Sequence, residues 1–313
     1  MSILIAIALY AAWSSMFSLG KIALQYSPPI FLTGARMWMA GAILIGYLAI
    51  RKRSVFKMEK KHFFSLCLLA FFSIYLCNIL EFWGLQYLSA AKTCFIYSLS
   101  PFFAALFSYL HFKEKMNGRK WLGLGIGFLG FIPVFMTQTG SEDLLNAFSF
   151  FSWPELAIMG ATLCAVYGWV LMRLVVKDNA VTPIMANGSS MFIGGLFALT
   201  HSFFVDSWSP IPVDSGQVGS FLKITLLMTF LSNIICYNIY GMLLKKYTAT
   251  FLSFVGLLSP IFASLSGWIF LGETPSWIIG ASTLIVCFGL WVFYSSELKQ
   301  GYIVEKKKEA QSA

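Results

Sequence analysis

The sequence predicts an all-α membrane protein in which ten transmembrane helices form an inverted five-plus-five repeat, with both termini in the cytoplasm. Three observations lead to this prediction. Hydrophobic residues make up 58% of the 313 residues and charged residues 11%, whereas a soluble domain carries about 25% charged residues. The Lys and Arg residues cluster between apolar runs, which favours a membrane topology over nucleic-acid binding. A Ser-Pro segment that ends on Glu occurs twice, at 98–114 and 257–273.

Ten stretches are apolar enough to cross a bilayer, which takes roughly 20 residues. They cover residues 2–20, 30–50, 62–85, 88–112, 119–137, 154–173, 182–205, 221–243, 248–271 and 275–294. Only "GLQYLS" separates the third stretch from the fourth, and only "GETPS" separates the ninth from the tenth, so both pairs are expected to form tight hairpins. The first stretch has no basic segment before it and is interpreted as a span, not as a cleaved signal peptide.

The distribution of basic residues predicts the orientation. If the N-terminus is cytoplasmic, 18 of the 22 Lys and Arg residues lie in the cytoplasmic segments, and the loops "TQTGSEDLLNAFSFFSW" and "DSWSPIPVDSGQVGS" hold none. Cytoplasmic loops carry an excess of Lys and Arg. The bias therefore predicts an even number of spans with both ends inside.

One constant shift along the chain aligns the two halves. It places Leu99, Ser100, Pro101, Phe103, Ala104, Leu106 and Glu114 on Leu258, Ser259, Pro260, Phe262, Ala263, Leu265 and Glu273. We call this displacement, which carries position 100 onto position 259, the repeat shift. Because each half holds five spans, an odd number, the second half must enter the membrane in the opposite sense, an architecture typical of secondary transporters.

The repeat predicts how the chain is divided. The first repeat covers 1–137, an external linker covers 138–153, and the second repeat covers 154–294. A cytoplasmic basic tail over 295–313 is polar and is expected to be disordered.

The two prolines are expected to kink the fourth and ninth spans. Proline removes a backbone donor and clashes with the preceding turn, and the freed carbonyls need partners or a water-lined cavity. Ser100 and Ser259 could help to satisfy them. Pro101 and Pro260 either shape a central cavity or only adjust packing.

Several segments resemble the drug/metabolite transporter superfamily, and within it the EamA-type ten-span proteins. The resemblance lies in "AAWSSMFSLGKIAL", in Arg36 within "FLTGARMWMAGAIL", in "LQYLSAAKTCFIYSLSPFFAALFSYLHFKEK", in "KKYTATFLSFVGLLSPIFASLSGWIFLGE" and in "GASTLIVCFGLWVF". It implies two EamA domains, a bacterial cytoplasmic (inner) membrane location and alternating-access carriage of a small metabolite. The chain has Trp13-Ser14 where the family often has Trp-Gly, which argues against a close helix crossing there.

Within the superfamily, the chain is similar to the S-adenosylmethionine/S-adenosylhomocysteine transporters of intracellular bacteria. That resemblance implies S-adenosylmethionine uptake in exchange for S-adenosylhomocysteine. Three alternatives stay open: an exporter of amino acids or other small metabolites, a structural or regulatory membrane subunit, and an integral membrane enzyme, for which the sequence offers no polar catalytic cluster. The expected partners are a small-molecule substrate and the lipid bilayer, without nucleic acid, and the protein is expected to be a monomer or a homodimer.

Ionisable residues inside spans are candidates for substrate binding. Glu81 and Lys92 lie at similar depth on the two helices of the first hairpin. They either form a structural salt bridge or bind the ammonium and carboxylate of an amino-acid head. Arg36 could receive a carboxylate or phosphate by a bidentate contact, or it could pair with a carbonyl or with Glu81.

Aromatic and amide side chains near the predicted centre are further candidates. Aromatic rings can stack on a purine and attract a sulfonium, although each ring could equally serve packing, and each amide could only bridge helices. The aromatic candidates are Trp13, Phe95, Tyr97, Tyr167, Trp169, Tyr237, Tyr240 and Phe254. The amide candidates are Asn78, Asn187, Asn233 and Asn238.

Motifs for catalysis or cofactor binding are missing from the sequence. The six cysteines lie in apolar runs without metal-type spacing, and the three histidines form no metal set or catalytic dyad. No Gly-rich phosphate loop or hydrolase motif occurs. We therefore expect no cofactor, no metal, no catalytic residue and no ATP-driven step within this chain.

Overall fold

A computed structural model describes residues 2–51, 60–112, 117–136, 146–148, 151–177, 181–237, 239–240 and 256–300. In the first half, these residues form α1 (Ser2–Ala23), α2 (Pro29–Arg51), α3 (Lys60–Leu69), α4 (Cys77–Tyr87), α5 (Ala90–Tyr97), α6 (Ser100–Phe112) and α7 (Gly118–Phe135). In the second half, they form α8 (Trp153–Lys177), α9 (Pro183–Val205), α10 (Val218–Met228), α11 (Ser259–Leu271) and α12 (Trp277–Gln300). The strands β1 (Asn146–Phe148) and β2 (Phe151–Ser152) pair antiparallel just before α8.

Two π-helices interrupt the long apolar helices. The first, Ala70–Leu76, joins α3 to α4, and the second, Thr229–Cys236, follows α10. The repeat shift carries the first residue of one π-helix onto the first residue of the other. π-Helical turns inside α-helices occur frequently at functional sites.

Eight helical segments in the described part of the chain are long and apolar enough to cross a membrane. Two of the ten predicted spans are not among them. In α7, the first turn carries Arg119 and Lys120, which lower its mean hydropathy. The ninth predicted span is described only from residue 256, and its helix α11 is therefore short.

Local sequence determines where several helices begin. The Ser89 hydroxyl accepts a hydrogen bond from the Lys92 amide at the start of α5, and the Asn117 and Thr182 side chains do the same at the starts of α7 and α9. These are residues that favour the N-cap position because their side chains satisfy free amides of the first turn.

The two Ser-Pro sequences lie at helix breaks. After α5 ends at Tyr97, a turn at 98–99 leads into α6, and a turn at 257–258 leads into α11. Pro101 and Pro260 each occupy the first turn of the following helix. Amides of the first turn have no intrahelical acceptor, so proline costs no hydrogen bond there. The predicted feature was a kink within each helix, whereas the structure has a turn directly before each Ser-Pro helix.

The halves pack through equivalent helices. The most extensive helix contacts are those of α2 with α9 and of α7 with α12. Glycines allow the second pair to approach closely, because a Cβ at Gly123 would lie 2.6 Å from the Gly289 carbonyl oxygen. Small residues serve this purpose in membrane helix pairs.

The structure corrects two details of the predicted architecture. The all-α prediction omitted the β1–β2 ribbon, which lies at the end of the predicted linker. The polar tail was expected to begin at residue 295, whereas α12 continues to Gln300, and residues 301–313 lie outside the described part. Ser, Glu, Leu, Lys and Gln at 295–300 are compatible with a helix, so the loss of hydrophobicity marked the end of the span and not of the helix.

Candidate functional site

A cavity of about 230 Å³ lies between helices of both halves. Its wall includes residues of α1, α2, α4, α5 and α8, both π-helical regions, and both Ser-Pro breaks. The predicted residues that line it are Trp13, Arg36, Asn78, Glu81, Tyr97, Pro101, Trp169, Asn233, Tyr237 and Tyr240.

Other predicted residues lie elsewhere. Phe95 is fully buried in an apolar cluster and packs on Phe131, and Tyr167 packs between Phe72 and Phe107. Lys92, Asn187 and Pro260 are not among the residues that line the cavity. Asn238 and Phe254 lie outside the described residues.

Arg36 and Asn78 form the first polar group of the cavity. The Arg36 guanidinium donates to Asn78 Oδ1 at 2.5 Å and lies 4.9 Å from the centre of the Phe82 ring. Asn78 Nδ2 donates to the Ile74 carbonyl at 2.8 Å, near the end of the first π-helix. Because the amide nitrogen is bound to this carbonyl, the amide oxygen points to Arg36.

Glu81 and Tyr97 form the second polar group. The Tyr97 hydroxyl donates to Glu81 Oε2 at 2.6 Å, and the Tyr97 ring lies 5.5 Å from that of Phe17. Among the described residues, no cation lies within ion-pair distance of Glu81, and no carboxylate lies that close to Arg36. The cavity wall thus holds two groups of opposite charge that do not form an ion pair with each other.

Aromatic side chains form another part of the wall. The Trp13 ring lies edge-on to those of Tyr237 and Tyr240, with centroid distances of 5.2 and 5.7 Å. Tyr10 extends this group at 6.5 Å from Trp13, and Trp169 lies 6.4 Å from Tyr240. We call these five residues the aromatic wall.

A salt bridge between Glu81 and Lys92, one of the two alternatives that the sequence left open, does not form. Lys92 Nζ instead lies 2.8 Å from Glu155 Oε1 on α8, and the two side chains are 1% and 2% exposed. Glu155 Oε2 also accepts from the Ser152 amide at 2.7 Å. The depth of Lys92 was judged from the hairpin, but the direction of its side chain around the helix axis depends on how α5 packs against α8.

Glu155 was missed, although the sequence contained a signal for it. "SWPE" at 152–155 has the spacing of a capping box, in which Ser and Glu satisfy each other's backbone amides, and it stands directly before an apolar run. The Glu155 amide approaches the Ser152 hydroxyl at 3.4 Å. Tyr10 and Phe17 were also missed; with Trp13 they have the spacing that places side chains on one helix face.

A group of contacts joins the halves at the end of α1. Lys21 Nζ donates to Glu273 Oε1 at 2.9 Å and to the Leu88 carbonyl at 2.7 Å. The Glu273 carboxylate also accepts from the Ala90 amide at 3.0 Å. These contacts join α1, the α4–α5 turn and the N-terminus of α5 in the first half to Glu273 in the second half.

The local structure around Glu273 places its carboxylate there. Gly272 has φ 68° and ends α11. Its amide donates to the Trp268 carbonyl, which is the hydrogen bond of an αL C-cap, and the Glu273 amide donates to the Gly267 carbonyl. A Cβ on Gly267 would lie 2.7 Å from Glu273 Oε2. The terminal Glu of the second Ser-Pro segment, Glu273, therefore makes contacts that join the two halves.

The chain matches the EamA-like transporter family over residues 1–136 and 152–295. It belongs to this family. The resemblance seen in the sequence is confirmed, and this EamA-like protein is a membrane transporter and not an enzyme.

The similarity to named relatives covers nearly the whole EamA-like chain. It is 37% identical over 297 residues to the S-adenosylmethionine/S-adenosylhomocysteine transporter of Chlamydia muridarum (strain MoPn / Nigg), with 94% of this chain and 92% of the relative covered. The transporter of the same name from Chlamydia trachomatis serovar D (strain ATCC VR-885 / DSM 19411 / UW-3/Cx) is 37% identical over 93% of this chain and 88% of the relative.

A solved structure shows the same fold. It is a crystal structure with a TM-score of 0.65 and 16% sequence identity, and the match covers 93% of this chain and 95% of that one.

Proposed function

We propose that this protein is a secondary transporter that takes up S-adenosylmethionine across the bacterial inner membrane in exchange for S-adenosylhomocysteine. The observation that carries the proposal is the central cavity, whose lining combines two opposite charges with an aromatic wall. S-adenosylmethionine has an amino-acid head, a sulfonium and an adenine. The names of the chlamydial relatives point to the same pair of compounds.

Ten spans in an inverted five-plus-five arrangement, with both termini inside, form the scaffold of this transporter. Three observations support the arrangement. The repeat shift relates the starts of the two π-helices, it relates the starts of the helices after the two Ser-Pro breaks, and the equivalent helices α2 and α9 pack on each other. Many transporters place discontinuous helices of this kind around a midplane site.

Transport proceeds by alternating access between the halves. With the N-terminus inside, the C-terminal end of α1 lies at the outer face. The contacts of Lys21, Glu273 and Ala90 then close the outer end of the cavity, and they must separate to admit substrate from outside. The Lys21 and Glu273 side chains are 24% and 19% exposed, so water can solvate both groups when the contact opens.

Uptake of labelled S-adenosylmethionine into proteoliposomes preloaded with S-adenosylhomocysteine tests the proposal. We expect uptake that depends on the preload and that external S-adenosylhomocysteine inhibits. Liposomes without protein are the control. Absence of uptake with correctly inserted protein would refute the assignment of this substrate pair.

A further inference from the structure

Equivalent positions of the two halves face the cavity from both sides. The repeat shift places Ser73 on Ser232 and Ser100 on Ser259, and all four serines line the cavity. The cavity therefore lies where equivalent segments of the halves meet.

The same shift relates unlike residues in the charged and aromatic parts of the lining. Glu81 falls on Tyr240 and Asn78 falls on Tyr237, and all four line the cavity. Arg36 falls on Gly195, which packs against α2. Among the described residues, the charged groups of the lining thus come from the first half, and aromatic rings occupy two of the equivalent positions of the second.

We propose that the substrate lies across the cavity in one fixed orientation, with its amino-acid head on the first half and its adenine on the aromatic wall. This proposal rests on the proposed function. In the head subsite, Arg36 binds the carboxylate and Glu81 binds the ammonium. In the base subsite, Tyr240 and its neighbours stack on the adenine and flank the sulfonium.

The geometry of Arg36 fits a carboxylate. The Asn78 oxygen holds one guanidinium nitrogen, while Nε has no hydrogen-bond partner among the described residues. The residue is 5% exposed, and buried polar groups generally find partners. A carboxylate forms two parallel hydrogen bonds with a guanidinium, so the head group would supply the missing acceptor.

Glu81 completes the head subsite. Tyr97 donates to one of its oxygens and fixes the carboxylate from one side. Because Glu81 and Arg36 do not form an ion pair with each other, a zwitterion can neutralise both. A head group with only one of its two charges would leave the other protein charge without a partner in a low-dielectric site, which is strongly unfavourable.

The aromatic wall favours the adenosyl end of the substrate, whereas the head subsite favours the zwitterion. It offers ring faces and hydroxyl groups, and its five members carry neither a carboxylate nor a cation. Ring faces stack on a flat base and attract a cation such as a sulfonium. The wall therefore selects the adenosyl end over the zwitterionic head.

The test combines ligand fragments with variants of the full chain in proteoliposomes. Competition against labelled S-adenosylmethionine uses decarboxylated S-adenosylmethionine, which lacks the carboxylate, and S-methylmethionine, which lacks the adenosyl group. Arg36→Gln should raise the KM for S-adenosylmethionine about 10- to 150-fold, as expected for the loss of hydrogen bonds to a charged group. It should also abolish the preference for S-adenosylmethionine over its decarboxylated form.

Tyr240→Leu should have the complementary effect. The KM for S-adenosylmethionine should rise about 2- to 30-fold, the preference over the decarboxylated form should persist, and the preference over S-methylmethionine should shrink. Lys223→Gln is the matched control, because Lys223 is an exposed basic residue of α10 that does not line the cavity. Arg36→Lys, which keeps the charge, should retain part of the carboxylate preference.

The two proposals fail differently. Absence of S-adenosylmethionine uptake by the unaltered protein would overturn the proposed function and this orientation with it. Uptake in which Arg36→Gln retains the carboxylate preference, or in which Tyr240→Leu loses it, would overturn the orientation alone. If the Arg36→Gln protein does not accumulate, Arg36→Lys is used for the test. An unchanged carboxylate preference and an unchanged KM in Arg36→Lys would then contradict the proposed orientation.

Discussion

Removing Lys92 should destabilise the protein far more than removing Lys21, although each lysine pairs with a glutamate of the other half. Lys92→Met leaves the Glu155 carboxylate in a site where only 2% of its side chain is exposed. Breaking a buried ion pair by removing one partner costs about 3–5 kcal/mol. At about 2.1 cal/mol/K per residue of unfolding entropy, this loss lowers the melting temperature of a chain of this length by about 5–8 °C.

The double variant Lys92→Met/Glu155→Gln removes both charges of the ion pair together. The introduced amide would keep an oxygen for the Ser152 amide hydrogen and carries no charge, so most of the lost stability should return. The melting temperatures of Lys92→Met, the double variant and Lys21→Met are measured by thermal unfolding of the detergent-solubilised proteins. Lys21→Met is the control, because the Lys21 and Glu273 side chains are 24% and 19% exposed, and ion pairs that reach solvent contribute less, about 0.2–1 kcal/mol at a fully exposed surface. If Lys92→Met melts with the unaltered protein, or if the double variant is no more stable than the single one, the reasoning from burial is wrong.

Two further predictions concern the closed end of the cavity and the helix crossing. Cys77 and Cys94 line the cavity, and Lys21→Met should speed their labelling by an impermeant thiol reagent added outside intact cells. A variant without these two thiols controls for the labelling of other cysteines. An unchanged labelling rate would contradict closure of the cavity by Lys21. Gly289→Ala should destabilise by about 1–3 kcal/mol, because its Cβ would lie 2.5 Å from the Gly127 nitrogen. Thermal unfolding checks this against Gly125→Ala, where a Cβ meets open space.

The candidate site was predictable where one helix was enough to reason from. Arg36 and Glu81 could be selected because charges inside apolar spans are costly and need a purpose. Trp13 and Tyr237 could be selected because they lie well inside their predicted spans. In each case a residue's depth in the membrane follows from its distance along the helix, at about 1.5 Å per residue.

Contacts that depend on the packing between helices were not predictable in this way. Lys92 and Phe95 were predicted to bind substrate, yet Lys92 pairs with Glu155 and Phe95 packs on Phe131. The rotation of α5 decides this difference, and that rotation is set by contacts with neighbouring helices. The π-helices also escaped prediction, because their extra residue per turn leaves no composition signal.

By itself, the sequence determined that this chain lies in a membrane, that one constant shift aligns its halves, and that it resembles the EamA-type transporters. These conclusions follow from composition and order along the chain. Only the tertiary structure decided that Arg36 and Glu81 share a cavity without forming an ion pair, and that Glu273 joins the halves through Lys21 and Ala90. The physical reason is that charged side chains find partners by distance in space, between residues as many as 252 positions apart, and linear order fixes no such distance.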